Sequence, residues 1–193
     1  MKNRLEKKIR EHYPKAETGS HITEQYLAYL SDHYNEDLKK MLFATSICAD
    51  DINVSTDFRR VLSRPFTLGG LGGIPFAGFT GMVAYGHHIP DNGSGFILYG
   101  PHIGITDEGE LGKMRRPGQA GLSNQQILLE RSVMPYKHEI LISDNRKKAI
   151  TEVTYKNIDK QLHFLIRKAK DEFRCKRIFL LGAVIINTSP EYH

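Results

Sequence analysis

The sequence predicts an α/β fold in which a partly parallel β-sheet is flanked by helices. Three short apolar runs, residues 42–48, 96–99 and 177–187, have the length and composition of buried strands. Stretches with helical periodicity separate these runs, and strands that alternate with helices are typical of a parallel sheet. The length of 193 residues fits a single domain, which we divide into a helical N-terminal extension, residues 1–40, and a core, residues 41–188.

The N-terminal extension has the pattern of two amphipathic helices. Leu5, Ile9 and Tyr13 recur at a spacing of four residues, which puts them on one face of a first helix. A second apolar stripe consists of Ile22, Tyr26, Leu27 and Leu30. Residues 36–41 extend the helical pattern. The run over residues 42–48 fits a buried strand or the last turn of a helix, because periodicity alone does not distinguish the two.

The middle of the chain is rich in glycine. Of the 17 glycines, all but Gly19 and Gly182 lie within residues 68–122. The apolar residues between them indicate tight backbone turns and not a flexible linker. Residues 75–85 fit a short buried helix with proline at its first position. Residues 103–111 fit a hairpin around an Asp-Glu-Gly turn.

The C-terminal part has a regular helical pattern. Ser123 and Gln126 fit a capping box at the start of a helix over residues 127–133, which Pro135 would end. Residues 144–173 then fit a long amphipathic helix. Its predicted core positions are Ala149, Val153, Ile158, Leu162, Leu165, Ile166 and Ala169.

Composition and charge narrow the class of function. The net charge is +5, but the basic residues are dispersed and form no stripe with aromatic residues, which does not favour a nucleic-acid partner. No apolar run approaches the roughly 18–20 residues that span a bilayer. The charged N-terminus is not followed by the apolar segment of a secretion signal. Cys48 and Cys175 are too few cysteines for a secreted disulfide scaffold, so we expect a reducing, cytoplasmic setting without membrane contact.

A first candidate metal site follows the apolar run that ends at Cys48. A cysteine thiolate is a common zinc ligand, and Asp50 lies two residues further on, where it could either orient a zinc-bound water or bind the metal itself. Arg59 and Arg60 follow closely, and an arginine paired with Asp50 would keep that carboxylate ionised and away from the zinc. The alternative interpretation is a buried, inert cysteine followed by an aspartate pair that caps a helix.

Three histidines are further candidates. His102 comes just after the run 96–99 and a Gly-Pro pair, where α/β sheets place their ligands, and imidazole is a common zinc ligand. A lone histidine is also often a hydrogen-bonded structural residue. His87 and His88 could line the site or transfer protons, since their unperturbed pKa lies near neutrality, or they could form an exposed loop edge.

The glycines within residues 69–73 do not predict a phosphate site. The stretch lacks the Lys-Ser/Thr pair of a P-loop and the spacing of a dinucleotide fingerprint. A tight turn that packs near the metal candidates fits the stretch better. Nucleotide or nucleic-acid binding therefore stands as a third hypothesis, behind the two that follow from the resemblance below.

Five short motifs occur in order between residues 40 and 188. They cover residues 44–53, 68–78, 88–91, 98–104 and 116–119. Together they resemble the limiting-CO2-inducible protein B/C family (LCIB/LCIC). Each motif is weak by itself, and the order and spacing of all five make the resemblance specific.

The resemblance implies a β-carbonic-anhydrase-like fold, a homodimer and a zinc ion held by a cysteine, a histidine and a second cysteine. Cys48 matches the first thiolate and His102 the imidazole. Asp50 matches the aspartate of an Asp-Arg dyad beside the metal, with Arg60 as its partner and Arg59 as the neighbouring alternative. The implied activity is reversible hydration of CO2 to bicarbonate, because zinc lowers the pKa of its bound water toward neutrality.

The chain departs from the family pattern at the second thiolate. The family's second cysteine is expected shortly after residues 116–119, where this chain has no cysteine, and we do not expect Cys175 to substitute. Asp50 could complete the ligand set, but would then displace the reactive water, and Ser123 is a poor ligand. The sequence thus leaves two interpretations: a zinc-dependent carbonic anhydrase, impaired or not, and a catalytically degenerate relative that acts as a bicarbonate-binding or protein-interaction module.

Overall fold

The fold is described by a computed structural model, which covers residues 2–49, 58, 61–115, 122–124 and 145–188. The strands in these ranges are β1 (Met41–Ile47), β2 (Phe66–Thr67), β3 (Ser94–Gly100), β4 (His102–Gly104), β5 (Lys113–Arg115), β6 (Leu122–Asn124), β7 (Ile178–Gly182) and β8 (Ile185–Asn187). The α-helices are α1 (Lys2–His12), α2 (Gly19–Tyr34), α3 (Gly78–His88) and α4 (Arg146–Lys168).

The central sheet has four parallel strands in the order β2-β1-β3-β7. Its two long inner strands pair over their whole length, from Met41 opposite Ser94 to Ile47 opposite Gly100. Strands β4 and β8 form a separate parallel pair, and β5 and β6 form an antiparallel pair. The predicted α/β fold with a partly parallel sheet flanked by helices is therefore confirmed, and residues 42–47 belong to strand β1, with Cys48 directly after it.

Helices cover both faces of the central sheet. Side chains alternate between the two faces along each buried strand, so both faces are apolar and both must be covered. One face packs against α2. The hydrophobic core between this face and α2 consists mainly of Leu27, Leu30, Met41, Phe43, Ile47, Phe96, Leu98 and Phe179. The other face packs against α3 and α4. The hydrophobic core between this face and the two helices consists mainly of Ala44, Met82, Tyr85, Ile97, Tyr99, Ile158 and Leu162. Strands buried on both faces explain the continuous apolar runs in the sequence.

Helix α1 packs on the part of the fold that carries β4. Leu5 is buried against Ile103, Ile105 and Leu111, and Ile9 and Tyr13 extend the same contact, as the predicted stripe requires. In α2 the buried positions are Thr23, Leu27 and Leu30, whereas Ile22 is exposed. The buried face of α2 therefore contains Thr23 in place of the predicted Ile22.

Helix α3 starts three residues later than the sequence predicts. Residues 75–77 instead close the turn that contains the glycines of residues 69–73. The Ala77 N–H donates to the Leu68 carbonyl, and the Phe76 N–H donates to the Ile74 carbonyl. Gly78 then adopts a φ of +58°, from which the helix begins. The proline at position 75 is therefore a turn residue and not the first residue of the helix.

The predicted final strand over residues 177–187 is divided into β7 and β8, which belong to different sheets. The break lies beside Pro101, which has no N–H to donate to a ladder. The Ala183 N–H still reaches the Tyr99 carbonyl and the Ile185 N–H reaches the Pro101 carbonyl, at 2.9 Å each. The interruption between β3 and β4 is therefore matched by one between β7 and β8.

The prediction of a hairpin is confirmed, whereas the prediction of a helix start at Ser123 is not. The hairpin over residues 103–111 is confirmed, since Ile105 bridges Leu111 and Gly109 turns the chain with a φ of +89°. Ser123 lies inside β6, opposite Met114, and Asn124 still belongs to that strand, so a helix does not begin directly after Ser123 as the capping box predicts. The predicted helix over residues 127–133 lies outside the described residues.

The long C-terminal helix is α4, which is shorter than the predicted span 144–173. The side chain of Asn145 caps it by accepting from the Lys148 N–H. The predicted positions Ala149, Val153, Ile158 and Leu162 are buried within it. Within the described ranges, no helix is both long and apolar enough to cross a membrane.

Candidate metal centre

Cys48 lies directly after β1, at the edge of the central sheet where its strands end, here called the carboxyl edge. Its side chain is buried, with 3% of its surface exposed. The backbone N–H of Gly72 donates a hydrogen bond to the sulfur at 3.2 Å. The sulfur therefore accepts one backbone hydrogen bond, and a cysteine sulfur binds metals in its deprotonated form.

The glycine-rich stretch of residues 69–73 wraps around the end of β1 and so fixes this cysteine. The Ala49 N–H donates to the Gly70 carbonyl, and the Ser46 hydroxyl donates to the Gly73 carbonyl. A Cβ on residue 69 would lie 2.6 Å from the backbone N of Ile47, so only glycine permits this close approach. The predicted role of the stretch, a tight turn near the site, agrees with this geometry.

His102 is the first residue of β4, two positions beyond the end of β3. It is 2% exposed, and its Nδ1 lies 2.7 Å from the Nδ2 of Asn187 on β8. Asn187 is itself fully buried. No motif in the sequence points to Asn187, although a polar residue at the end of an apolar strand is a usable signal for a buried partner.

The structure brings Cys48 and His102 to neighbouring strand ends. Ile47 pairs with Gly100 in the parallel β1–β3 ladder, so the residues that follow leave the sheet side by side at the carboxyl edge. Ligands of α/β proteins bind at this edge. A thiolate and an imidazole, both buried and both held by hydrogen bonds, have the donor chemistry that zinc prefers, and in this respect the residues fit a zinc ion.

Tyr99 provides a second buried polar group near the end of β3. Its hydroxyl donates to a carboxylate oxygen of Asp159 on α4, and its ring stacks on that of Tyr155 with centroids 5.7 Å apart. Burial, together with the hydrogen bond to Asp159, raises the pKa of Tyr99 above its usual range. The hydroxyl therefore stays protonated at neutral pH and acts as a donor that ties α4 to β3.

Cys175 lies at the opposite edge of the sheet from Cys48. It precedes β7, beside the start of β3, where the Lys176 N–H donates to the Gly93 carbonyl. Partial burial raises the pKa of the Cys175 thiol. Because the strands are parallel, an entire strand length separates the two cysteines, and Cys175 does not reach the Cys48 edge. No disulfide joins them.

The structure does not bring His87 and His88 to the carboxyl edge. Both occupy the last turn of α3, which runs back toward the start of β3. His88 Nδ1 lies 2.7 Å from the Ala84 carbonyl oxygen, and His87 Nε2 lies 3.5 Å from a carboxylate oxygen of Glu172. All of these contacts are exposed, as the alternative interpretation predicts, but the two histidines lie in a helix and not in a loop.

The remaining predicted site residues, Asp50, Arg59 and Arg60, lie outside the described residues. Within the part of the chain that is described, no three side chains of His, Cys, Asp or Glu cluster as a metal site. Cys48 and His102 are thus the two predicted ligands for which the structure gives a position.

Comparison with known families gives one clear relationship. The family model for limiting CO2-inducible proteins B/C, described as β-carbonic anhydrases, matches residues 20–125 and 120–193. These ranges include Cys48, His102 and Asn187. No protein with a curated description matches the chain.

Solved structures share the fold. The crystal structure of PtLCIB4, described as a homolog of the limiting CO2-inducible protein LCIB, has a TM-score of 0.87 at 24% identity, over 96% of this chain and 89% of that one. The crystal structure of LCIB has a TM-score of 0.52 at 21% identity, over 82% and 78% of the two chains. At these identities the likeness establishes the fold.

Proposed function

Because the chain belongs to the family of limiting CO2-inducible proteins B/C, we propose that it is a zinc-dependent carbonic anhydrase that hydrates CO2 reversibly to bicarbonate. The observation that carries this proposal is that Cys48 and His102 are both buried and both follow the paired ends of β1 and β3, where Ile47 lies opposite Gly100. A cysteine thiolate and an imidazole are ligand types that zinc prefers in proteins.

The proposed roles follow from the chemistry of each side chain. Cys48 and His102 would hold the zinc, which when bound supplies a Lewis acid that makes water reactive toward CO2 at neutral pH. Asp50 would accept a hydrogen bond from the reacting water and so orient it. Arg60 would keep that carboxylate ionised through a two-point hydrogen bond, with Arg59 as the alternative partner.

A second candidate function is a catalytically degenerate family member that binds bicarbonate or a protein partner. It is favoured by the position of Cys175, which precedes β7 while Cys48 follows β1, so the chain's other cysteine supplies no second thiolate there. Ser123, in the region where the family pattern has its second cysteine, belongs to a strand and is a poor zinc ligand. Zinc has four ligands in most protein sites, so a site with only two protein ligands would bind zinc weakly.

The proposed assembly is a homodimer in a reducing, cytoplasmic setting. Exposed apolar side chains on and near α3 support self-association, since exposed apolar surface often marks a contact surface. The exposed apolar side chains are Leu71 and Phe76 before α3, Phe79 on α3 and Phe164 on α4, and the Lys168 ammonium lies over the rings of Phe79 and Phe164. Phe76 is the most exposed of these apolar side chains at 68%, and Phe76→Glu should shift the mass in light scattering from dimer to monomer if this surface is the interface.

Zinc content and CO2 hydration, measured on the same preparations, test the proposed activity. The wild type should hold about one zinc per chain and accelerate hydration above the buffer rate, and Cys48→Ala should lose both. Cys175→Ala is the matched control, because it removes the other cysteine at the opposite edge, and it should keep both properties.

The outcomes separate the two candidate functions. Zinc retained by the wild type without any hydration, or no zinc after loading, would favour the degenerate module. Hydration that survives in Cys48→Ala at the wild-type rate would contradict the assigned metal centre altogether.

A further inference from the structure

The backbone of Gly72 reaches the sulfur of Cys48 through a left-handed turn. Gly72 lies in the short 3-10 helix Leu71–Gly73 and has a φ of +67° and a ψ of 6°, which L-residues adopt only at a cost. In this conformation its N–H donates to the Cys48 Sγ at 3.2 Å. A cysteine sulfur accepts a hydrogen bond whether or not it carries a proton, so the contact does not depend on the ionisation of Cys48.

The next residue, Gly73, packs against the end of β3. A Cβ on residue 73 would lie 2.5 Å from the carbonyl oxygen of Gly100 and 3.1 Å from the Cδ1 of Ile158. Gly100 is the last residue of β3 and precedes His102 by two positions. The two neighbouring glycines therefore touch the two strand ends that lead to the predicted ligands.

Hydrogen bonds hold the turn against β1 and leave it little freedom to move. The Ser46 hydroxyl donates to the Gly73 carbonyl at 2.9 Å, and the Ala49 N–H donates to the Gly70 carbonyl at 3.0 Å. The Gly73 N–H closes the turn on the same Gly70 carbonyl. Because the turn is tied to β1, added bulk at residue 73 displaces the end of β3 relative to β1 or breaks these bonds.

We propose that Gly72 and Gly73 are positioning residues that set the separation of Cys48 and His102. The Gly72 N–H fixes the direction of the sulfur, and Gly73 fixes how closely the end of β3 approaches the end of β1. Partners that orient metal ligands contribute to metal affinity, so both residues should matter for zinc binding. This inference rests on the proposed zinc centre, whereas the contact of Gly72 with sulfur is a property of the metal-free protein.

The first test uses the metal-free protein and measures amide hydrogen exchange by NMR. The Gly72 amide should exchange about 10-fold faster in Cys48→Ala than in the wild type, because the variant lacks the acceptor. The Gly70 amide, which donates to the Ile74 carbonyl at 2.9 Å, is the internal control and should keep its rate. Equal protection of Gly72 in both proteins would overturn its hydrogen bond to sulfur.

The second test needs no variant and uses the wild type loaded with cadmium-113, a thiolate-binding probe for the zinc site. The Gly72 amide proton should show a scalar coupling to the metal through the hydrogen bond to the Cys48 sulfur. The Gly70 amide proton should show none, since its acceptor is a carbonyl oxygen. Bound cadmium without a coupling at Gly72 would contradict the proposed role of Gly72.

The third test measures zinc affinity by competition with a chromophoric chelator. Gly73→Ala should weaken zinc binding by about 10- to 100-fold. Gly78→Ala is the matched control, because Gly78 also has a left-handed φ, +58°, but a Cβ there meets nothing within 4 Å. Leu27→Ala, at a buried position on α2, controls for a general loss of stability. Both controls should bind zinc as the wild type does.

Ser46→Ala is a milder variant that decides the role of the turn if Gly73→Ala does not fold. It removes the hydroxyl that holds the Gly73 carbonyl and should weaken zinc binding by about 3- to 10-fold, the equivalent of one hydrogen bond. Wild-type affinity in Gly73→Ala, or in Ser46→Ala where Gly73→Ala is unfolded, would overturn the spacing role of Gly73.

The results separate this inference from the proposed function. A wild type that binds neither zinc nor cadmium contradicts the proposed zinc centre, while amide exchange still decides whether Gly72 holds the sulfur. A wild type that binds both metals, with no coupling at Gly72 and with unchanged affinity in Gly73→Ala, contradicts the positioning role and leaves the zinc centre standing.

Discussion

Gly100 faces the carbonyl oxygen of Ala183 so closely that a Cβ on residue 100 would lie 1.7 Å from that oxygen. This approach occurs where β3 ends and the chain turns toward His102 two residues later. Gly100 also adopts a φ of +152°, which L-residues rarely occupy. The position of His102 relative to Cys48 therefore depends on a backbone contact that only glycine allows.

Gly100→Ala should lower the free energy of unfolding by about 3 kcal/mol or more, because overpacking costs about 1–3 kcal/mol and backbone strain about as much again. Urea denaturation measures this change. Gly78→Ala is the control: its φ is +58°, but a Cβ there meets nothing within 4 Å, so only strain of about 1–2 kcal/mol should appear. Equal effects of the two substitutions would contradict the close contact at Gly100.

Tyr13→Phe should leave stability at pH 7 unchanged or raise it by about 1 kcal/mol. The Tyr13 hydroxyl is buried and has no hydrogen-bond partner within the described ranges, so removing it relieves a desolvation cost. The apolar contact of α1 and the Lys148 ammonium above the ring, 5.3 Å from its centroid, both remain. A loss of 1 kcal/mol or more in urea denaturation would reveal a partner for the hydroxyl.

The same variant should change stability at high pH. Burial, with a smaller effect of Glu152, raises the pKa of Tyr13 to about 12, while the unfolded residue ionises near pH 10. The unfolded state therefore binds fewer protons than the folded state between these values, so the wild type loses stability as the pH rises from 10 to 12. Tyr13→Phe should lose less over this window, and parallel pH profiles would contradict the shift.

Tyr99→Phe should lower the free energy of unfolding at pH 7 by about 1–2 kcal/mol, because it removes a donor to the Asp159 carboxylate. Tyr155→Phe is the matched control. Its hydroxyl is 3.5 Å from that of Tyr99, at the limit of a hydrogen bond, so the loss should stay below about 1 kcal/mol. If the order of the two effects in urea denaturation were reversed, Tyr155 would be the main anchor of α4.

Leu5→Ala should destabilise the whole protein by about 2–5 kcal/mol, because Leu5 is buried against Ile103 and Ile105 next to His102. Ile22→Ala, at a position that is 37% exposed on α2, should cost less than about 1 kcal/mol. We expect α1 to unfold together with the core, as a single domain requires. Two separate transitions in Leu5→Ala, or an effect as small as that of Ile22→Ala, would instead make residues 1–40 a detachable extension.

The sequence by itself was sufficient to predict the fold class and to name two candidate metal ligands. Strands buried on both faces give continuous apolar runs, and such runs are visible without a structure, as the agreement of residues 42–48 with β1 shows. The family resemblance rested on the order of the motifs around Cys48 and His102, and the family match confirms it. Element boundaries were less accurate, since the start of α3 depends on hydrogen bonds to Leu68 and Ile74.

Only the tertiary structure decided which residues lie at the same edge of the sheet. The parallel pairing of Ile47 with Gly100 brings Cys48 and His102 to one edge, and the same parallel arrangement sends Cys175 and the histidines of α3 to the other. Asn187 reaches His102 because β7 and β8 break opposite Pro101. These relationships join residues far apart in the chain, and they depend on strand register and on backbone approach distances, which local sequence patterns do not encode.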